Sequence, residues 1–325
     1  MKAVIMAGGE GTRLRPLTCN LPKPMVPVIN RPVIEYIIEL LKLHGIKDIA
    51  VTLQYLPDVV SDYFGGGEEY GVNLKYFIEG KPLGTAGSVR NTGDFLDGTF
   101  VVISGDAITD LDITNVIRFH KEHSSIATIV LKKVDVPLEY GVVITDHDGR
   151  ITRFIEKPGW GEVFSDTVNT GIYVLEPQVF DHYRKEGQFD FSKDLFPALL
   201  RNNAPVYGYI TRDYWCDIGD LKAYGQAHRD VIGGAVRARI SGKREKGGVW
   251  IGDNARIADT AIIKGPVVIG RNVTVESGVS IDEFTFVGEG TIIGEGASIK
   301  RSVVWKNCYI GKNAQVRGSI ICNKV

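Results

Sequence analysis

Near the amino terminus three cations stand beside a cluster of glycines. The stretch from Met6 to Pro24 reads MAGGEGTRLRPLTCNLPKP and follows directly on the apolar run Lys2-Ala3-Val4-Ile5. A buried strand that breaks into Gly8, Gly9 and Gly11 becomes a loop whose backbone can approach an anion closely. Successive main-chain N–H groups there form a concave nest for oxyanions, and a following helix N-terminus adds its dipole. Arg13 can fork onto phosphate oxygens, while Lys23 supplies a mobile point charge. The G-K-[ST] ending of a P-loop is missing. A Gly-rich turn flanked by solvated basic side chains has the same composition.

Other groups suited to phosphate chemistry lie far along the chain. Asp106 follows the run Phe100–Ile103, where a carboxylate can take a magnesium ion that keeps phosphate oxygens as its remaining ligands, or can cap a helix. Lys157 stands in Phe154-Ile155-Glu156-Lys157-Pro158, just before the proline that ends a strand; beside Glu156 it also reads as a solvated surface pair. Asn169 and Glu156 on loops cap turns as readily as they bind hydroxyls. Trp215-Cys216-Asp217-Ile218-Gly219 supplies a second isolated carboxylate, with Asp220 after it. Cys216 reads as a small apolar packing group.

The whole string G-G-x-G-T-R-L-x-P-L-T, followed by Lys23-Pro24, resembles the signature of the nucleotide-sugar pyrophosphorylases, or sugar-1-phosphate nucleotidylyltransferases. The resemblance extends to F-x-E-K-P at Phe154–Pro158, to W-x-D-I-G at Trp215–Gly219 and to the loop Glu79–Gly87. It implies a reaction in which NTP and a sugar 1-phosphate give NDP-sugar and pyrophosphate. Arg13, Lys23, Asp106 and Asp217 are then catalytic, and Asp106 and Asp217 hold Mg²⁺. Nucleotide contacts are implied for Ala7, Gly8, Gly9, Gly11, Thr12, Arg13, Glu79, Gly84 and Thr85. Sugar-phosphate contacts are implied for Gly141, with Tyr140 beside it, and for Glu156, Lys157 and Asn169. Relatives often carry Thr or Pro where this chain has Asp220. An ionised Glu79 only accepts hydrogen bonds, and guanine offers two adjacent donors on its Watson–Crick edge. GTP with mannose 1-phosphate is therefore the first expectation, uridylyl or thymidylyl transfer to glucose 1-phosphate the second, and a non-catalytic nucleotide-sugar sensor the third. A sensor is expected to lose one of Arg13, Lys23, Asp106, Lys157 or Asp217, and all five stand.

The elements that must carry these residues are legible as periodicity. Pro32 and Gly45 bound helically spaced Val33, Ile34, Ile37, Ile38, Leu40 and Leu41. Short β-branched runs at Ile49–Leu53, Leu74–Ile78 and Phe100–Ile103 alternate with helical stretches near Val59 and Val89, which predicts an α/β domain built on a mostly parallel sheet. The resemblance makes that sheet Rossmann-like. Ligands of such sheets sit beyond the carboxyl ends of strands, where strand order reverses.

At 325 residues two domains are expected. The division predicted is 1–232 for the nucleotidyltransferase domain, 233–248 for a basic linker and 249–325 for a solenoid. In the last segment Ile251, Ile257, Ile263, Ile269, Val275, Ile281, Val287, Ile293 and Ile299 fall at six-residue spacing. One residue is then lost before Val304, Ile310 and Val316 resume the beat. A hexapeptide repeat is the mark of a parallel β-helix, with Gly and Asn at its corners; left-handed winding is what the resemblance adds. No polar cap is evident at Val325, so a truncated chain or an open coil covered by another subunit, and hence a homo-oligomer, is expected. All six histidines precede the repeat, which argues against an acyltransferase there. A net charge of -1 with 44% hydrophobic residues points away from nucleic acid and membrane as partners. Four scattered cysteines and no leader-like start suggest a reducing, cytoplasmic setting.

Overall fold

The computed structural model of the chain describes residues 1–183 and 187–323. The chain end at Val325, where an uncapped coil is expected, lies outside them. Two compact units are present, Met1–Met25 with Ile34–Asp217, and Val26–Val33 with Ile218–Val325. The expected division at 232 therefore differs from this grouping by one helix and by the short segment Val26–Val33.

In chain order the strands are β1 (Lys2–Met6), β2 (Pro27–Val28), β3 (Arg31–Pro32), β4 (Asp48–Leu53), β5 (Asn73–Ile78), β6 (Phe100–Ser104), β7 (Ala107–Thr109), β8 (Ala127–Lys133), β9 (Gly141–Thr145), β10 (Ile151–Glu156), β11 (Thr167–Leu175), β12 (Val206–Ile210) and β13 (Trp215–Asp217). The helices are α1 (Val33–Leu43), α2 (Pro57–Phe64), α3 (Thr85–Arg90), α4 (Ile113–Glu122), α5 (Phe196–Arg201) and α6 (Leu221–Gly233).

In the first unit a sheet runs β10-β9-β11-β6-β1-β4-β5, with β8 pairing to both β11 and β12. Its centre, β6-β1-β4-β5, is parallel, while β11 joins β6 antiparallel. Ala3, Val4 and Ile5 of β1 are fully buried, because helices cover both faces of a parallel strand. One face packs on Ile34, Ile37 and Leu41 of α1, and the other on Ala86, Val89, Phe189 and Phe196. The chain runs outward from β1 to β4 and β5 before returning to β6, so strand order reverses between β1 and β6. The carboxyl ends of those two strands are level, with Met6 opposite Ser104.

The second unit is a three-sided parallel β-helix. Val249 pairs with Val267 and Val267 with Thr285, three hexapeptides per coil; Phe286 then pairs with Val303, which absorbs the dropped residue. Ile269, Val275, Ile281, Val287, Ile293 and Ile299 fill its interior. Asn254, Asn272, Asn307 and Asn313 turn corners at positive φ. A Cβ at Gly288 would fall 2.4 Å from the carbonyl carbon of Trp305, so Gly there is what lets successive coils stack. The expected linker is partly ordered: Lys243–Arg244 pairs antiparallel with Val249–Ile251, giving the first coil a short charged edge that blunts further strand addition. Within this same unit the hairpin β2–β3 and α6 lie on the coils. Tyr224 donates to the Pro27 carbonyl (2.7 Å), Trp305 Nε1 donates to the Tyr224 hydroxyl (2.9 Å), and Asn30 donates to the Val287 carbonyl (3.1 Å). Asp220 caps α6, its Oδ1 accepting from the Ala223 amide at 2.7 Å, which gives this departure from the family pattern a local structural role.

Candidate active site

Gly11, in the left-handed region at φ 63°, accepts at its carbonyl from the Thr18 hydroxyl (2.8 Å) and the Leu14 amide (2.9 Å). The Ala7 amide is used within the sheet, donating to the Thr52 carbonyl at 3.0 Å. The amides of Gly8, Gly9, Gly11 and Thr12 have no acceptor among the described residues. A Cβ on Gly9 would meet nothing within 4 Å, so no packing against the protein explains glycine there. At Gly11 it would lie 2.9 Å from Lys23 Cβ, so the stem of Lys23 is seated directly on the loop.

Lys23 heads a short turn, Lys23–Met25, and its ammonium donates to Asp106 Oδ2 and, at 3.3 Å, to Asp217 Oδ1. The two aspartates meet because β13 pairs antiparallel with β7, which sets Asp217 opposite Ala107. Ser104 donates to the other oxygen of Asp106. Burial opposes charge at Asp106, yet Lys23 and Ser104 outweigh it and hold the carboxyl below its usual range. Burial and the charge of Asp106 push Asp217 up. Lys23 itself is raised, because both carboxylates outweigh the desolvation that would lower it. The two carboxylates converge on one cation, the Lys23 ammonium. Among the described residues no cluster of three or more His, Cys, Asp or Glu could hold a metal, so this donor set suits an ion that keeps phosphate oxygens as further ligands.

Arg13 is not on this group; its guanidinium meets Glu139 at 3.2 Å in an exposed pair. Glu156 and Gly141 are cross-strand partners, and a Cβ at Gly141 would lie 2.9 Å from Glu156 Oε2. Lys157 is exposed and in the left-handed region at φ 47°, its amide donating to the Tyr140 carbonyl at 3.1 Å. A β-bulge in β11 between Asn169 and Tyr173 ties this cluster to the aspartates. Asn169 donates to the Tyr173 hydroxyl (3.0 Å) and accepts from the Gly171 amide (3.0 Å), a Cβ on Gly171 would press Ser104 Cβ at 3.2 Å, and Ser104 holds Asp106. Trp215 Nε1 donates to the Thr170 carbonyl in the same bulge (3.1 Å). Ser104, Tyr173 and Thr18 support the site; Thr18 ends the G-G-x-G-T-R-L-x-P-L-T string, but no motif gives any of the three a role. Gly171 in Asn-Thr-Gly was the available signal for the bulge.

Glu79 follows β5 and is 8% exposed; its Oε2 accepts from the Leu83 amide at 3.1 Å, while no donor among the described residues reaches Oε1. It lines a recess of about 410 Å³ with Ile78, Gly80, Lys81, Leu83 and Asn91. Gly84 packs under Phe189, whose carbonyl oxygen would lie 2.4 Å from any Cβ there. Thr85 is engaged within the protein: its amide and hydroxyl both donate to Asp190 Oδ1 (2.9 and 3.1 Å), and the hydroxyl accepts from the Phe191 amide (3.0 Å).

The nucleotidyl transferase family matches residues 2–233, and a family described as the GMPPB C-terminal domain matches residues 246–325. A UTP--glucose-1-phosphate uridylyltransferase of Synechocystis sp. is 40% identical over 269 residues, covering 78% of this chain and 69% of that protein. A mannose-1-phosphate guanyltransferase of Candida albicans is 40% identical over 230 residues, 69% of this chain and 62% of its own length. A Bacillus anthracis structure solved with sucrose, provisionally named a glucose-1-phosphate thymidylyltransferase, superposes with a TM-score of 0.65 at 28% identity, covering 70% of this chain and 94% of that one. No helix among the described residues is long and apolar enough to cross a membrane. The sheet, the glycine loop and the match over residues 2–233 together show that this chain belongs to the nucleotidyl transferase family.

Proposed function

We propose that the chain transfers a nucleotidyl group from a nucleoside triphosphate to a sugar 1-phosphate, releasing pyrophosphate and an NDP-sugar. The observation that carries this reading is the pair of aspartates, one on each side of a strand pairing, meeting a lysine seated on a loop of open amides. The sugar phosphate is already an anion, so in-line attack on the α-phosphorus needs alignment and charge neutralisation more than proton transfer. The Gly8–Thr12 amides take the triphosphate, Arg13 reaches it by leaving Glu139, and Lys23 balances charge near the transferring group. Asp106 and Asp217 would hold Mg²⁺, which when bound supplies Lewis-acid charge stabilisation to the phosphates. Lys157 anchors the sugar phosphate; Glu156, Asn169 and Gly141 shape the sugar pocket.

The base is read by Glu79. Its unpartnered, nearly buried oxygen calls for a donor, which guanine supplies from N1–H and the exocyclic amine. We therefore favour GTP and, following the guanyltransferase relative, mannose 1-phosphate. The uridylyltransferase relative keeps UTP with glucose 1-phosphate as the second reading. The scattered cysteines of the sequence favour a cytoplasmic setting.

The test is a panel of four NTPs against mannose, glucose and galactose 1-phosphates with Mg²⁺, read as pyrophosphate release. Turnover greatest with GTP and mannose 1-phosphate is expected. No pyrophosphate from any combination would leave a nucleotide-sugar sensor as the better account.

A further inference from the structure

The ammonium of Lys23 sits where the carboxylates of Asp106 and Asp217 converge, touching both. A divalent ion that is to reach those same oxygens must displace it, because two cations within contact distance repel. Lys23 is not the only constraint on these two residues. Asp106 is oriented by Ser104, and Asp217 is set opposite Ala107 by the pairing of β13 with β7. The lysine stem is likewise fixed: Lys23 Cβ lies against Gly11, whose carbonyl is tied to Thr18, and the Met25 amide closes the turn onto the Pro22 carbonyl at 2.8 Å. What remains free to move is the end of a flexible four-carbon chain. Its base lies on the loop whose amides at Gly8, Gly9, Gly11 and Thr12 face no acceptor among the described residues.

We infer that Lys23 is an exchangeable counter-ion that couples metal capture to nucleotide binding: its ammonium holds Asp106 and Asp217 against a divalent ion until a triphosphate on the Gly8–Thr12 loop draws it away. Replacing one positive charge by two between a pair of carboxylates neutralises them, and the displaced ammonium gains phosphate oxygens as partners. By linkage, metal and nucleotide then each strengthen the binding of the other. This rests on the reading of Asp106 and Asp217 as metal ligands given above.

The test is Mn²⁺ affinity of the full chain, measured by electron paramagnetic resonance of free Mn²⁺, for wild type, Lys23→Met and Lys23→Arg, with and without a non-hydrolysable GTP analogue. Methionine keeps the stem on Gly11 and removes the charge. Without nucleotide, Lys23→Met should bind Mn²⁺ about tenfold more tightly than wild type, the scale of one charge-assisted hydrogen bond, and Lys23→Arg should stay near wild type. The gain in affinity on adding the analogue should be smaller in Lys23→Met. Should that variant fold poorly, its melting temperature must rise with Mn²⁺ more than that of wild type. Equal or weaker nucleotide-free affinity in Lys23→Met overturns the exchange, as does tight Mn²⁺ binding to all three proteins regardless of nucleotide. Absence of Mn²⁺ binding in every protein, even with the analogue, refutes both the exchange and the assignment of the aspartates; if wild type nevertheless releases pyrophosphate with Mg²⁺, transfer stands and only the ligand set is wrong.

Discussion

Replacing Glu79 by glutamine should invert nucleotide choice, and the size of the effect follows from its two oxygens. Oε2 is committed to the Leu83 amide at 3.1 Å, while Oε1 is buried and has no donor among the described residues. In Glu79→Gln the amide oxygen stays with Leu83 and the NH₂ takes the place of Oε1, so on the reading proposed above a charged acceptor becomes a donor where guanine would present its N1–H and exocyclic amine. A hydrogen bond to a charged group contributes about 1.5–3 kcal/mol. At roughly 1.4 kcal/mol per factor of ten, kcat/KM for GTP should fall about 10- to 150-fold. Uracil carries an acceptor at O4, so kcat/KM for UTP should hold or rise. The assay is pyrophosphatase-coupled phosphate release at saturating mannose 1-phosphate with GTP and UTP varied separately, with circular dichroism to show that the fold is retained. An unchanged GTP/UTP ratio between wild type and Glu79→Gln would refute the reasoning, since it would mean that neither oxygen meets the base.

Further outcomes follow from the same geometry. Lys23→Ala and Asp106→Asn should each lower turnover about 100-fold or more, because a contact that stabilises charge in the transition state contributes about 3 kcal/mol; near-normal pyrophosphate release from either, in folded protein, contradicts the site. Gly84→Ala should lower stability by about 1–3 kcal/mol from its glycine-only backbone conformation alone, and should also raise the KM for nucleotide by moving the loop off Phe189, whose carbonyl oxygen a Cβ would approach to 2.4 Å. Thermal melts and saturation curves indistinguishable from wild type would disprove that. His228 is buried between Tyr224 and Phe286, donating from Nδ1 to the Tyr224 carbonyl at 3.0 Å, and burial pushes its pKa from 6.5 down to about 4. The unfolded chain takes the proton first, so stability of the second unit is full above the unfolded value and falls as pH drops toward the folded one, by about 3 kcal/mol in all. Urea denaturation at several pH values should show that slope in wild type and lose it in His228→Phe; the same slope in both would assign it to other groups.

Much of the site was legible because its signals are local. A strand breaking into Gly8-Gly9-Glu10-Gly11 marks a loop by backbone permissiveness, and Asp106 follows a short β-branched run that reads as a buried strand. The β-helix was equally legible, since a six-residue beat fits neither a helix nor an ordinary strand. What could not be read depended on pairings between distant segments. That Asp217 stands beside Asp106 comes from β13 adding to β7. Asp220 departs from the family pattern, and its role as a helix cap is visible only in its bond from the Ala223 amide. Thr85 is expected among the nucleotide contacts from its place in the loop Glu79–Gly87, and only the structure shows that Asp190 and Phe191 take up its hydrogen bonds. Ala7 carries a main-chain donor like its neighbours, yet that donor belongs to the sheet. The grouping of Val26–Val33 with the second unit rests on bonds to distant residues, through Asn30, Arg31 and Tyr224.

The most direct measurement is a crystal structure with Mn²⁺, a non-hydrolysable GTP analogue and mannose 1-phosphate, read at the manganese anomalous peak. One peak within coordinating distance of both Asp106 and Asp217, with the triphosphate on the Gly8–Thr12 amides and Lys23 turned toward phosphate, is the expected result. A peak on neither aspartate, or a triphosphate bound away from that loop, would contradict the account.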